Sequence, residues 1–135
     1  MMPEMETQEM DTSLEGCRIF VVEDESVITM LLQDMFEELR CEVVSLASRF
    51  QDALDKAKTL SFEVAILDVN LNGQRTFAIA EALTERGLPF VFATGYGAAA
   101  VPENFRDAPV LQKPFRLADL ERAVRTALAA PPRAA

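Results

Sequence analysis

Four places in this chain put a group able to handle charge directly after a short apolar run. Cys17-Arg-Ile-Phe-Val-Val-Glu23 runs into Glu23-Asp24, and Val64-Ala-Ile-Leu67 runs into Asp68. Pro89 to Ala93 is followed by Thr94, and Val110-Leu111-Gln112 by Lys113. Each pairing alone is ordinary, because acids after a strand often only begin a turn. All four together, in the same place relative to their runs, are a pattern that chance rarely makes. Three carboxylates brought together repel and raise one another's pKa values. A hard divalent cation removes that conflict, and Mg²⁺ prefers oxygen ligands while keeping some water. Two carboxylates on one cation leave coordination sites for a phosphate oxygen. The cation and the Lys113 ammonium would neutralise charge on a phosphoryl group in transfer, and Thr94 would donate a hydrogen bond to one of its oxygens. An Asp carboxylate can act as the nucleophile and become an aspartyl phosphate. Asp68 is the expected phosphoacceptor.

The groups can meet only if their runs are neighbouring parallel strands. Between the runs lie segments with helical periodicity: Ile28, Leu31, Leu32, Met35, Phe36 and Leu39; Phe50, Ala53, Leu54 and Ala57; Phe77, Ala80 and Leu83; and Leu117, Leu120, Val124 and Leu128. Ser26 and Ser48 are the expected N-caps of the first two, and Gly87 the end of the third. Cys41 to Leu46 supplies a further strand. Strand–helix alternation with near-continuous apolar strands predicts a parallel sheet covered on both faces. Five units in this length fit an α/β, flavodoxin-like, doubly wound five-stranded sheet of order 2-1-3-4-5 rather than an eight-stranded barrel. In such a sheet ligands bind beyond the carboxyl ends of the strands, where the four charged positions fall. The stretch from Gly95 to Ala108 contains Gly95, Gly97 and Pro102, which oppose a regular helix. A fourth helix there is expected to be short, displaced or mobile.

The 135 residues suit one domain. Residues 1–15, with five acids and no basic residue, read as a mobile tail; the domain is expected over 16–129 and a second tail over 130–135. The chain carries 13 basic and 22 acidic residues, a net charge of −9. That balance argues against a nucleic-acid binder, which needs clustered Lys and Arg. With no His and no paired Cys motif, soft metal ligation is not expected, and Cys17 and Cys41 read as small core residues. No secretory leader or membrane span is visible, so a cytoplasmic protein is expected.

Val21-Val-Glu-Asp-Glu25, Ile66-Leu-Asp-Val-Asn70, Ala93-Thr-Gly-Tyr96 and Gln112-Lys-Pro-Phe115 together resemble the receiver domain of bacterial two-component response regulators, in register over roughly residues 17–129. The resemblance implies that Asp68 accepts phosphate from a sensor histidine kinase or a histidine phosphotransfer protein. It implies Mg²⁺ held by Asp24, Asp68 and the backbone carbonyl of Asn70, with Glu23 acting on the metal through water. Thr94 and Lys113 would bind phosphoryl oxygens, and the Lys113-Pro114 peptide would be cis. Receivers commonly carry a Tyr or Phe three residues before the lysine as a switch; here that residue is Val110. Phe92-Ala-Thr-Gly-Tyr96 looks instead like a variant subfamily of single-domain regulators named for a Phe-Ala-Thr-Gly-x-Tyr-like motif, although Tyr96 directly follows Gly95. Those regulators often serve alphaproteobacterial stress or phosphorelay circuits. In that reading Tyr96 is the switch residue, and phosphorylation orders residues 95–108; the plain alternative is a surface loop aromatic.

Few residues come after the last helix, so the expected output is binding to a downstream protein. The alternative is a phosphorelay intermediate or phosphate sink with no target of its own. An aspartate-nucleophile phosphatase would want an acid two residues after the nucleophile, where this chain has Asn70. A nucleotide-binding reading lacks a Gly-rich phosphate loop. The chain is not expected to be an enzyme, since no free substrate would be turned over.

Overall fold

The computed structural model describes residues 14–130. Each apolar run forms a strand and each periodic segment a helix: β1 (Arg18–Val22), α1 (Ser26–Glu38), β2 (Glu42–Ala47), α2 (Phe50–Thr59), β3 (Val64–Asp68), α3 (Phe77–Glu85), β4 (Phe90–Thr94), β5 (Val110–Gln112) and α4 (Leu117–Ala129). The strands make one parallel sheet in the order β2-β1-β3-β4-β5. This is the expected flavodoxin-like arrangement. Among the described residues no helix is long and apolar enough to cross a membrane.

Period-two alternation of side chains sorts the strands into two cores. Ile19, Val21, Val64, Ile66, Val91 and Ala93 face one side, where Leu32 and Phe36 of α1 and Leu120 and Val124 of α4 cover them. Phe20, Val22, Ala65, Leu67, Phe90 and Phe92 face the other, under Ala53 and Ala57 of α2 and Ile79, Ala80 and Leu83 of α3. Every residue of β3 and β4 is buried, which is why these strands read as unbroken apolar runs.

Several expectations are corrected. The expected N-terminal tail runs to residue 15, yet Leu14 is buried in the α1/α4 core and the Gly16 N–H donates to the Arg40 carbonyl at 2.8 Å. Residues 1–13 of that tail, and residues 131–135 of the other, lie outside the described residues. Ser26 does not cap α1: the N-cap is Glu25, without a side-chain cap bond. Ser48 does not cap α2, whose N-cap is Arg49; Asp52 in the first turn complements the helix dipole there. Gly87 does end α3. Its φ is 71°, its N–H donates to the Thr84 carbonyl and that of Leu88 to the Leu83 carbonyl, each at 3.0 Å. That pair of bonds satisfies the last carbonyls of the helix.

Residues 95–108 contain only two 3₁₀ turns, Gly97–Ala100 and Glu103–Phe105. The segment is anchored by Val101 and Phe105, each 3% exposed. Phe105 lies 5.8 Å from the Phe92 ring centroid and 6.1 Å from those of Phe77 and Phe90.

Candidate functional site

Parallel register brings the ends of four strands level. Val22 pairs with Leu67 and Asp68 with Ala93, while Thr94 pairs with Gln112. Glu23, Asp68, Thr94 and Lys113 therefore emerge at one end of the sheet. The Lys113 N–H donates to the Thr94 carbonyl at 2.8 Å, and the Lys113-Pro114 peptide is cis.

Lys113 stands at the centre of the acidic group. Its Nζ lies 3.1 Å from Glu23 Oε1, 3.3 Å from Asp68 Oδ2 and 3.7 Å from Glu25 Oε1. Glu23 and Asp68 are buried, and Asp24 is half-buried. One carboxylate oxygen from each of these three lies within 4.8 Å of the others. Burial, followed by the Asp68 charge, pushes the Glu23 carboxyl up to about 7. Burial also raises Asp68, against the pull of Lys113 and of the Asn70 amide. Burial would lower Lys113, but the charges of Asp68 and Glu23 outweigh it and hold the ammonium above its ordinary value. One ammonium among this many carboxylates leaves anionic charge uncompensated. An all-oxygen donor set carrying excess negative charge suits a hard divalent cation of the Mg²⁺ type.

Backbone and hydroxyl groups aim these side chains. The Asn70 N–H donates to Asp68 Oδ1 at 3.2 Å, and the Glu25 N–H to Glu23 Oε2 at 3.1 Å. Asn70 is exposed and its own side-chain oxygen accepts from the Gly73 N–H at 2.8 Å. Thr94 is buried, and its Oγ1 accepts from the Tyr96 N–H at 3.0 Å. That leaves the Thr94 hydroxyl proton for another acceptor. The Tyr96 ring is 83% exposed and does not fill the Val110 position; Val110 is half-buried.

Sequence reasoning missed three contributors. After β3 the chain makes a two-residue-armed hairpin, Asn70–Leu71 with Gln74–Arg75. Its turn places Asn72 at φ 53° and Gly73 at φ 86°, the left-handed pair that an Asn-Gly hairpin requires. The Asn72 N–H donates to Asp24 Oδ2 at 3.1 Å, and its side-chain amide to the Ser48 carbonyl at 3.0 Å. The Asn-Gly dipeptide was the available signal. Thr76 is fully buried and its hydroxyl donates to the Asp68 carbonyl at 2.7 Å. Glu25 is the third: it faces Lys113, and an acid one position beyond Glu23-Asp24 carries no signal of its own.

Comparison with known proteins agrees with this geometry. The response regulator receiver domain family matches residues 19–125. The solution structure of SdrG from Sphingomonas melonis Fr1 is 41% identical, with a TM-score of 0.76, covering 84% of this chain and 98% of that one. The transcriptional regulatory protein TdiR of Thauera aromatica is 34% identical over 118 residues, 82% of this chain and 51% of its own length. The transcriptional regulatory protein PdtaR of Mycobacterium tuberculosis is 31% identical over 115 residues, 82% of this chain and 56% of its own length. The chain thus spans about half the length of these two curated relatives. With strand order, acidic cluster and family match in agreement, the chain belongs to the response regulator receiver domain family.

Proposed function

We propose that this receiver accepts a phosphoryl group on Asp68 from a sensor histidine kinase or histidine phosphotransfer protein, and that it signals by binding a downstream protein. The observation that carries the reading is the Asp68 carboxylate lying 3.3 Å from Lys113 Nζ, within a cluster whose Glu23, Asp24 and Asp68 oxygens lie within 4.8 Å. Mg²⁺ would be held by Asp24, Asp68 and the Asn70 carbonyl, with Glu23 acting through water. When bound, it supplies positive charge against the phosphoryl oxygens.

The chain's own groups do the rest. The Asn70 amide holds Asp68 Oδ1, which leaves Oδ2, the oxygen beside Lys113, to attack phosphorus in line with the leaving group. Lys113 then exchanges a carboxylate partner for a phosphoryl oxygen and remains charged. Thr94 donates its hydroxyl proton to a second phosphoryl oxygen. No free substrate is turned over, so the protein is not an enzyme in the usual sense.

Readout would begin at Thr94. A Thr94 hydroxyl drawn toward the phosphoryl group carries the Tyr96 N–H with it, and so the start of residues 95–108. Tyr96 would be the switch residue, as in the single-domain subfamily. Amide exchange over 95–108 should change when beryllofluoride, a phosphoryl mimic, is added with Mg²⁺; unchanged protection would remove this readout. The phosphoacceptor itself is tested by incubating wild type and Asp68→Asn with acetyl phosphate and Mg²⁺. Wild type should gain an acid-stable, base-labile acyl phosphate. Formation of the same species by the variant would overturn the assignment.

A further inference from the structure

The chain's two cysteines, Cys17 and Cys41, are far apart in sequence and adjacent in space. Cys17 immediately precedes β1 and Cys41 immediately precedes β2. These strands pair in parallel with Arg18 beside Glu42, and the Glu42 N–H donates to the Cys17 carbonyl at 2.8 Å. Both side chains enter the core under α1 and α4. Neighbouring strands lie about 4.8 Å apart, inside the Cα separation of roughly 4.4–6.8 Å that a disulfide spans. Both cysteines are free. The pair sits at the amino-terminal end of the sheet, away from the acidic site.

We propose that Cys17 and Cys41 form a redox modification site, closed to an intramolecular disulfide by a peroxide and reopened by a dithiol. The two sulfurs are unequal. Cys17 is buried, 8% exposed, whereas Cys41 is half-buried and within reach of a small oxidant. The interaction of the two neighbouring sulfurs raises Cys17 and lowers Cys41. Cys41 is therefore the sulfur that more readily yields a thiolate, the form that attacks. Burial and the negative charges of Glu63 and Glu121 oppose its ionisation without reversing that order. When protonated, Cys41 Sγ donates to the Leu14 carbonyl at 3.4 Å.

The steps balance. The Cys41 thiolate attacks one peroxide oxygen; the O–O bond breaks, a Cys41 sulfenic acid forms, and the departing hydroxide is protonated to water. The Cys17 sulfur then attacks the Cys41 sulfur; the S–S bond forms, the S–O bond breaks, and the hydroxide leaves with the Cys17 proton as water. Overall two thiols and one hydrogen peroxide give one disulfide and two waters. The ring so closed contains all of α1, the helix that comes after Glu23-Asp24.

The test treats the whole chain with hydrogen peroxide and counts free thiols. They should fall from two per chain to none, the intact mass should drop by two hydrogen atoms, and dithiothreitol should restore both. Cys17→Ser should stop at a Cys41 sulfenic acid that dimedone traps, and Cys41→Ser should leave Cys17 unreacted. Persistence of both thiols, oxygen addition at wild-type Cys41 with Cys17 still free, or a bond between two chains would each overturn the proposal. None of these readouts depends on phosphotransfer.

Discussion

Glu23→Gln isolates the acid that the site perturbs most. The folded-state value of Glu23 is raised from 4.5 to about 7. Between those values the folded chain keeps a proton that the unfolded chain has released, so stability falls as pH rises through that window and is level above it. At about 1.4 kcal/mol per pH unit the loss reaches about 3 kcal/mol. Asp68, also raised, tilts the curve the same way. Lys113, raised above its ordinary value, stays charged throughout and adds no slope. Gln removes the titration but also removes an acceptor. Glu23 Oε1 accepts from Lys113 and Oε2 from the Glu25 N–H, and an amide has one oxygen for the two. One lost bond costs about 1 kcal/mol. In EDTA, urea unfolding should show the variant about as stable as wild type at roughly pH 5 and about 2 kcal/mol more stable at roughly pH 8. Excess Mg²⁺ should stabilise wild type at high pH by mass action and narrow the gap. A wild-type curve that is flat across this range, or a variant with the same slope, would refute the reasoning.

Other perturbations separate charge, support and packing. Lys113→Met leaves buried Glu23 and Asp68 without the ammonium between them; without metal the loss should be about 3 kcal/mol at neutral pH and smaller near pH 5 by denaturant titration, because the carboxyls then take up protons. Thr76→Val removes the donor to the Asp68 carbonyl and should cost about 1–3 kcal/mol in thermal unfolding. Phe105→Ala empties an aromatic cluster with Phe77, Phe90 and Phe92; it should cost about 3–5 kcal/mol, and hydrogen exchange should quicken over 97–108 before the rest of the chain.

The parts legible in the sequence are those whose physics is local or repeated. β3 and β4 are buried on both faces, so Val64-Ala-Ile-Leu67 and Phe90-Val-Phe-Ala93 read as parallel strands without any partner known. Glu23, Asp24, Asp68, Thr94 and Lys113 stand out because each comes after such a run. Pairwise geometry is not legible. The Cys17–Cys41 contact depends on β1 and β2 meeting in register, and that register shifts between Ile19 and Phe20, a shift no periodicity announces. The hairpin after Asp68 has arms of two residues, too short for strand alternation, so only Asn72-Gly73 marks it. Ser26 and Ser48 are reasonable caps by residue type, but the N-caps are Glu25 and Arg49, which lack side-chain cap bonds.

Between β4 and β5 the aromatic packing lies within the connection rather than on β5. Val110 leaves the last strand without a large ring three residues before Lys113, and the exposed Tyr96 ring does not supply one. The aromatic packing lies on the other side of the connection, where Phe105 closes on Phe77, Phe90 and Phe92. Phe92 is two residues from Thr94 on β4, so both the ring cluster and the hydroxyl that holds the Tyr96 amide sit on one five-residue strand. On the proposed readout, a displacement of Thr94 would reach residues 95–108 by two routes: the Tyr96 amide at the start of the segment, and the Phe92–Phe105 contact near its end. Between these anchors the chain forms two short 3₁₀ turns rather than one regular α-helix. Under the proposed readout, the backbone of 95–108, with Tyr96 at its start, would be the element that responds to phosphorylation of Asp68.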